Sequence, residues 1–126
     1  MLIVEDEEPL ALLLKYNLEA EGYQVRVATR GEEAEIAVSE DAPHLIILDW
    51  MLPGMDGLGL VRVLQRIKPD LKIIIMSMHD ESHLVKEILK EGIKGYLLKK
   101  DSTKELITAL EQVRAGRVYL SNEINS

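Results

Sequence analysis

Three short apolar runs constrain the fold of this chain more than anything else in it: Leu2-Ile3-Val4, Leu45-Ile46-Ile47-Leu48 and Ile73-Ile74-Ile75-Met76. Each is too short for a helix, and the last two are rich in isoleucine, as strands buried on both faces are. Two weaker runs, Gln24 to Ala28 and Gly95 to Leu98, follow or begin with glycine and read as edge or near-edge strands. Amphipathic stretches lie between them. Leu10, Leu13, Leu14 and Leu18 share a helical face, as do Leu60, Val61, Leu64 and Ile67, then Val85, Ile88 and Leu89, then Leu106, Ala109, Leu110 and Val113. Five strands alternating with five helices predict an α/β, doubly wound five-stranded parallel sheet, because parallel strands need crossovers and right-handed crossovers cover both faces.

Helix ends are marked as well. Pro9 suits a first helical turn, Asp56 an N-cap, and Gly22, Gly92 and Gly116 suit the ends of helices. The last helix is expected to begin after Asp101, Ser102 or Thr103 acting as cap. At 126 residues the chain fits one domain, placed at 1–116, with 117–126 read as a C-terminal tail or the start of a linker. A formal net charge of −7 argues against direct nucleic-acid binding, which draws much of its affinity from Lys and Arg on phosphates. The absence of cysteine excludes disulfides and thiolate metal sites and suits the cytoplasm. No apolar run approaches the ~18 residues of a membrane-spanning helix, so no membrane role is expected.

In doubly wound sheets, ligands sit beyond the carboxyl ends of the strands. The residues there are Glu5 and Asp6, Asp49, Ser77 and Lys99. Acids near helix starts are common for reasons of the helix dipole alone, so Glu5 to Glu8 carry little by themselves. Asp49, Asp6 and Lys99 at three strand ends carry more. Converging carboxylates repel one another unless a cation neutralises them, and an all-oxygen set with few protein ligands suits Mg²⁺. Lys99 would bring a positive charge to pair with Asp49 or a phosphoryl oxygen; Lys100 competes for that role, because adjacent strand residues face opposite ways. Ser77 offers a hydroxyl. His44 reads as solvent-facing, and Leu12 and Tyr16 lie off the core stripe of the first helix, where they could serve a dimer.

Four stretches together resemble the receiver domains of response regulators, over essentially the whole chain: Leu2-Ile3-Val4-Glu5-Asp6-Glu7, Leu48-Asp49-Trp50-Met51-Leu52-Pro53-Gly54, Met76-Ser77-Met78-His79-Asp80 and Gly95-Tyr96-Leu97-Leu98-Lys99. The resemblance implies a flavodoxin-like strand order 2-1-3-4-5. It implies a phosphoacceptor switch, not an enzyme in the ordinary sense, which takes a phosphoryl group on Asp49 from a sensor histidine kinase and serves transcription regulation. Asp6 and Asp49 would bind Mg²⁺ directly, Glu5 through water, and the Met51 carbonyl would be a further ligand. Ser77 would contact the phosphoryl group, Lys99 would pair with it, and Tyr96 would change rotamer on activation. A homodimer on phosphorylation is part of the same expectation. Lys100 stands where much of the family has proline, so a cis peptide after Lys99 is not expected.

The two halves resemble different branches. Residues 1 to about 54, with Lys15-Tyr16-Asn17-Leu18-Glu19 and Asp49-Trp50-Met51-Leu52-Pro53, look like the OmpR/PhoB branch, and residues 55 to 126, with Ser77-Met78-His79-Asp80-Glu81 and Gly95-Tyr96-Leu97-Leu98-Lys99, look like the NarL/FixJ branch. A chimera, natural or engineered, and ordinary divergence both produce this pattern. Two other functions fit the topology less well. An aspartyl-phosphate phosphohydrolase usually has a second Asp two residues past the nucleophile, where this chain has Met51. A flavodoxin-like carrier needs a hydroxyl-rich phosphate loop after the first strand, where Glu5 to Glu8 would repel the phosphate.

Overall fold

Alternate residues of each central run face opposite sides of one parallel sheet, which is why these runs are apolar throughout. The computed structural model describes residues 1–50, 57–78 and 85–121. The elements run β1 (Leu2–Val4), α1 (Glu8–Ala20), β2 (Arg26–Ala28), α2 (Gly31–Asp41), β3 (Leu45–Asp49), α3 (Gly57–Ile67), β4 (Lys72–Ser77), α4 (Val85–Lys90), β5 (Gly95–Leu98), α5 (Ser102–Arg114) and β6 (Tyr119–Leu120). The strand order is β2-β1-β3-β4-β5-β6, all parallel. The first five strands have the expected order 2-1-3-4-5.

Two apolar layers result. Leu2, Val4, Ile46, Leu48, Ile73, Ile75, Tyr96 and Leu98 pack with residues of α2, α3 and α4. Ile3, Leu45, Ile47, Ile74, Met76 and Leu97 pack with α1 and α5. Gly95 is needed where β5 meets β4, since a Cβ there would lie 2.8 Å from Ile74 Cγ1. Gly22, Gly92 and Gly116 take positive φ, as expected of glycines that end helices. Ala42 closes α2 in the same left-handed region without being glycine. Pro9 lies in the first turn of α1, and no described peptide bond is cis. His44 is exposed. Asp56 lies outside the described residues. Among the described residues no helix is long and apolar enough to cross a membrane.

Three expectations of the helical stripes are corrected at their edges. Leu13 is 48% exposed, and Ala11 takes its place in the core of α1; Ile67 and Leu89 are also exposed. A helix of 3.6 residues per turn offers the sheet a limited stripe, and these three lie at its margin. Asp101 precedes α5 but makes no side-chain capping bond; a short 3₁₀ turn, Lys99–Asp101, leads into the helix, and the Ser102 hydroxyl donates to the Lys99 carbonyl at 2.8 Å.

A sixth strand falls in the stretch expected as tail or linker. Tyr119 and Leu120 pair with Gly95 and Tyr96, and Ser121 N donates to Tyr96 O at 2.9 Å. The segment is fastened by Glu105, which is largely buried on α5 and accepts from Tyr119 Oη at 2.7 Å and Ser121 Oγ at 3.1 Å. Burial and the neighbouring Glu105 carboxylate push the Tyr119 hydroxyl up to about 12, so it stays a donor at physiological pH. Replacing Glu105 with Ala leaves both hydroxyls without this acceptor, and the expected cost is about 1–3 kcal/mol in urea unfolding, with Glu105→Gln costing less. Equal stability of Glu105→Ala and the parent would show that the carboxylate does not hold the segment.

Candidate functional site

The sheet places five sequence-predicted residues at its carboxyl edge, Glu5, Asp6, Asp49, Ser77 and Lys99. Glu5 directly follows β1, and its N–H still donates to Ala28 O at 2.9 Å. Val4 pairs with Leu48, so Glu5 stands beside Asp49 at the end of β3. Asp49 pairs with Met76, Trp50 N donates to Met76 O at 2.8 Å, and Ser77 pairs with Leu98, which leads directly to Lys99. Glu5, Asp49 and Lys99 continue the alternation of Ile3, Ile47 and Leu97, which all belong to the α1/α5 layer. Trp50 continues the opposite alternation and packs against the other layer. Carboxylate oxygens of Glu5, Asp6 and Asp49 lie within 4.8 Å of one another. Glu5 and Asp49 are buried, whereas Asp6 is exposed.

Lys99 is the cation of this cluster. Its side chain is 9% exposed, and Nζ lies 3.1 Å from Asp49 Oδ2, 3.1 Å from Glu7 Oε1, and 3.0 and 3.2 Å from the two Glu5 oxygens. Lys100, the competing candidate, is exposed. Burial alone would lower the Lys99 ammonium, but the hydrogen bonds it donates to Glu5, Asp49 and Glu7 outweigh it and hold the group well above its ordinary value. Glu5 is raised as well, which for a carboxyl favours the neutral form. Burial, then its hydrogen bond with Asp49, raises it to about 7, while the Glu7 backbone N–H and Lys99 partly oppose the shift.

This donor set fits a hard divalent cation. It is all carboxylate oxygen, it carries more negative charge than one lysine balances, and Glu5 Oε1 is buried without a hydrogen bond although it lies near Nζ. Ser77 is buried at the end of β4, and Tyr96 is fully buried in the layer with Ile73, Ile75 and Leu120. Met51, and the stretch from His79 to Glu81, lie outside the described residues. Glu7 is the site residue that sequence reasoning passed over as one of a run of helix-start acids. Nothing local in the sequence marks it: in the structure it occupies the N-cap of α1, where Ser, Thr, Asp or Asn is favoured, and its side chain makes no capping bond.

Comparison with known proteins agrees with this geometry. The chain is 45% identical over 112 residues to the phosphate regulon transcriptional regulatory protein PhoB of Rhizobium meliloti (strain 1021), covering 86% of this chain and 49% of that protein. It thus spans about half the length of that curated relative. Among solved structures, a LuxR-family two-component response regulator from Aurantimonas sp. SI85-9A1 superposes with a TM-score of 0.90 at 28% identity, over 98% of this chain and 90% of that one. A Burkholderia pseudomallei response regulator, solved with a phosphorylated aspartic acid, a calcium ion and citrate, superposes at 0.77 with 27% identity, over 91% of this chain and 70% of that one. Residues 1–111 match the response regulator receiver domain family, and the chain belongs to it: it is a receiver domain of a two-component system.

Proposed function

We propose that Asp49 is the phosphoacceptor and that Glu5, Asp6 and Asp49, with the Met51 carbonyl, hold Mg²⁺ for the transfer. The observation that carries the reading is the convergence of three carboxylates and Lys99 at the carboxyl ends of adjacent strands. It is supported by the phosphorylated aspartic acid and calcium ion of the Burkholderia relative. Bound Mg²⁺ would neutralise the carboxylates and offset charge on the phosphoryl oxygens. Asp49 attacks the phosphorus of a phosphohistidine on a sensor histidine kinase, forming an acyl phosphate as the imidazole leaves. The Lys99 ammonium and Ser77 hydroxyl bind phosphoryl oxygens, and this differential contact biases two conformations that Tyr96 reports.

The same reading makes the chain the cytoplasmic input half of a transcription regulator, as the PhoB relative's name suggests for that protein. Leu12, Leu13 and Tyr16, exposed at 58%, 48% and 73% along α1, offer an apolar face for a homodimer. A junction near residue 54 between two parental receivers rests on the flanking words of each half alone, since the PhoB and LuxR-family matches both run across it.

Acetyl phosphate with Mg²⁺ is expected to add one hydroxylamine-labile phosphoryl group, seen by mass spectrometry, and Asp49→Asn to abolish it. Stoichiometric labelling of Asp49→Asn would falsify the assignment.

The raised Glu5 carboxyl gives a second test. The folded chain holds this proton more tightly than the unfolded chain, so in EDTA the Glu5 contribution to stability is full below about pH 4.5 and is lost as pH rises through about 7. Mg²⁺ favours the ionised form and should reverse that loss. The Mg²⁺-induced rise in Tm is therefore expected to be larger at pH 8 than at pH 6 by a few degrees, at roughly 4 °C per kcal/mol for a domain of this size. Glu5→Gln should flatten the pH dependence. A rise that is independent of pH in the parent would remove Glu5 from the metal site.

A further inference from the structure

Lys99 meets three carboxylates, and an ammonium has three N–H donors. A phosphoryl oxygen on Asp49 competes for these donors with the carboxylates already on them. Asp49 itself carries the phosphoryl, and Glu5 is buried and belongs to the proposed metal site, so neither is a solvent-exposed competitor for the lysine. The Glu7 side chain is 55% exposed, and water can replace the lysine there. Glu7 is also poorly suited to its local structure. It stands at the N-cap of α1 with extended backbone angles, φ −82° and ψ 102°, yet its carboxylate bonds across the site to Lys99 at 3.1 Å and does not cap its own helix. Its backbone N–H donates to Glu5 Oε2 at 3.1 Å, which fixes the start of the side chain beside the site.

We propose that Glu7 is a positioning residue that competes with the phosphoryl group for Lys99, and so sets how strongly the site holds the phosphorylated form. This rests on the reading of Asp49 as phosphoacceptor. The contact is half-exposed, and such pairs have modest strength, so its removal should tighten phosphoryl binding about two- to fivefold. The effect must pass through Lys99, which separates it from a general gain on removing a negative charge near an anion.

The test is a double-mutant cycle on the full chain, with beryllofluoride as phosphoryl analogue at saturating Mg²⁺ and Trp50 fluorescence as readout. Glu7→Gln is expected to lower the apparent Kd about two- to fivefold in the parent and to have no effect in Lys99→Ala. Glu8→Gln, which removes the same charge from the next exposed residue, should change little in either background. Unfolding midpoints measured in parallel remove a general stability effect. An equal gain from Glu7→Gln in both backgrounds would show a field effect and overturn the proposal, as would no gain in the parent. If the parent itself gives no saturable response, the phosphoacceptor reading falls and the Glu7 assignment with it; a parent response that Glu7→Gln leaves unchanged overturns the Glu7 assignment alone.

Discussion

An excess of negative charge around one buried lysine governs the carboxyl edge of this sheet. Glu5, Glu7 and Asp49 all meet Lys99 Nζ within 3.2 Å, and Asp6 adds a further carboxylate nearby. Removing an ion from water costs several kcal/mol, and one ammonium cannot repay that for each of its neighbours. The cluster responds in the ways open to it. Glu5 is driven toward its neutral form, and Lys99 is held charged. Asp6 stays at the surface. The rest of the structure serves this arrangement, because without two well-packed apolar layers behind them the strand ends could not hold like charges at such distances.

Packing of those layers is also what made much of the fold legible in the sequence. Runs such as Ile46-Ile47-Leu48 and Ile73-Ile74-Ile75 are apolar at every position because α2, α3 and α4 cover one face and α1 and α5 the other. The same alternation carries past the strands into the chemistry. Glu5, Asp49 and Lys99 follow Ile3, Ile47 and Leu97 in phase, and that shared phase brings Lys99 to the acids while Lys100 stays at the surface. From sequence alone the choice between the two lysines needed family resemblance, because the exact end of β5 decides it and strand boundaries are poorly marked.

What remained hidden depended on long-range contacts. Leu13 looks like a core residue by spacing, but the width of the covered stripe depends on where α1 sits against the sheet, and Ala11 fills that place. Tyr119 and Leu120 are too few to signal a strand, and they become one because β5 has an unpaired edge and Glu105 accepts from the adjoining hydroxyls. Glu7 reads locally as a helix-start acid. Only the distance to Lys99, 92 residues further along the chain, gives it another role.

β5 joins these long-range features. Its four residues are buried, it pairs with β4 on one side and β6 on the other, and Lys99 follows it directly. Tyr96 lies at its second position, fully buried, with its carbonyl accepting from Ser121 N. A strand packed on both faces, bonded to β4 along its length and to β6 at Gly95 and Tyr96, resists bending, since displacement breaks ladder bonds or opens the core. Altered bonding at Lys99 is therefore accommodated more cheaply by side chains at the ends and flanks of the strand than by its backbone. Glu7 is the most solvent-exposed of the three carboxylates around Lys99, and exchange there leaves both apolar layers and the ladder intact.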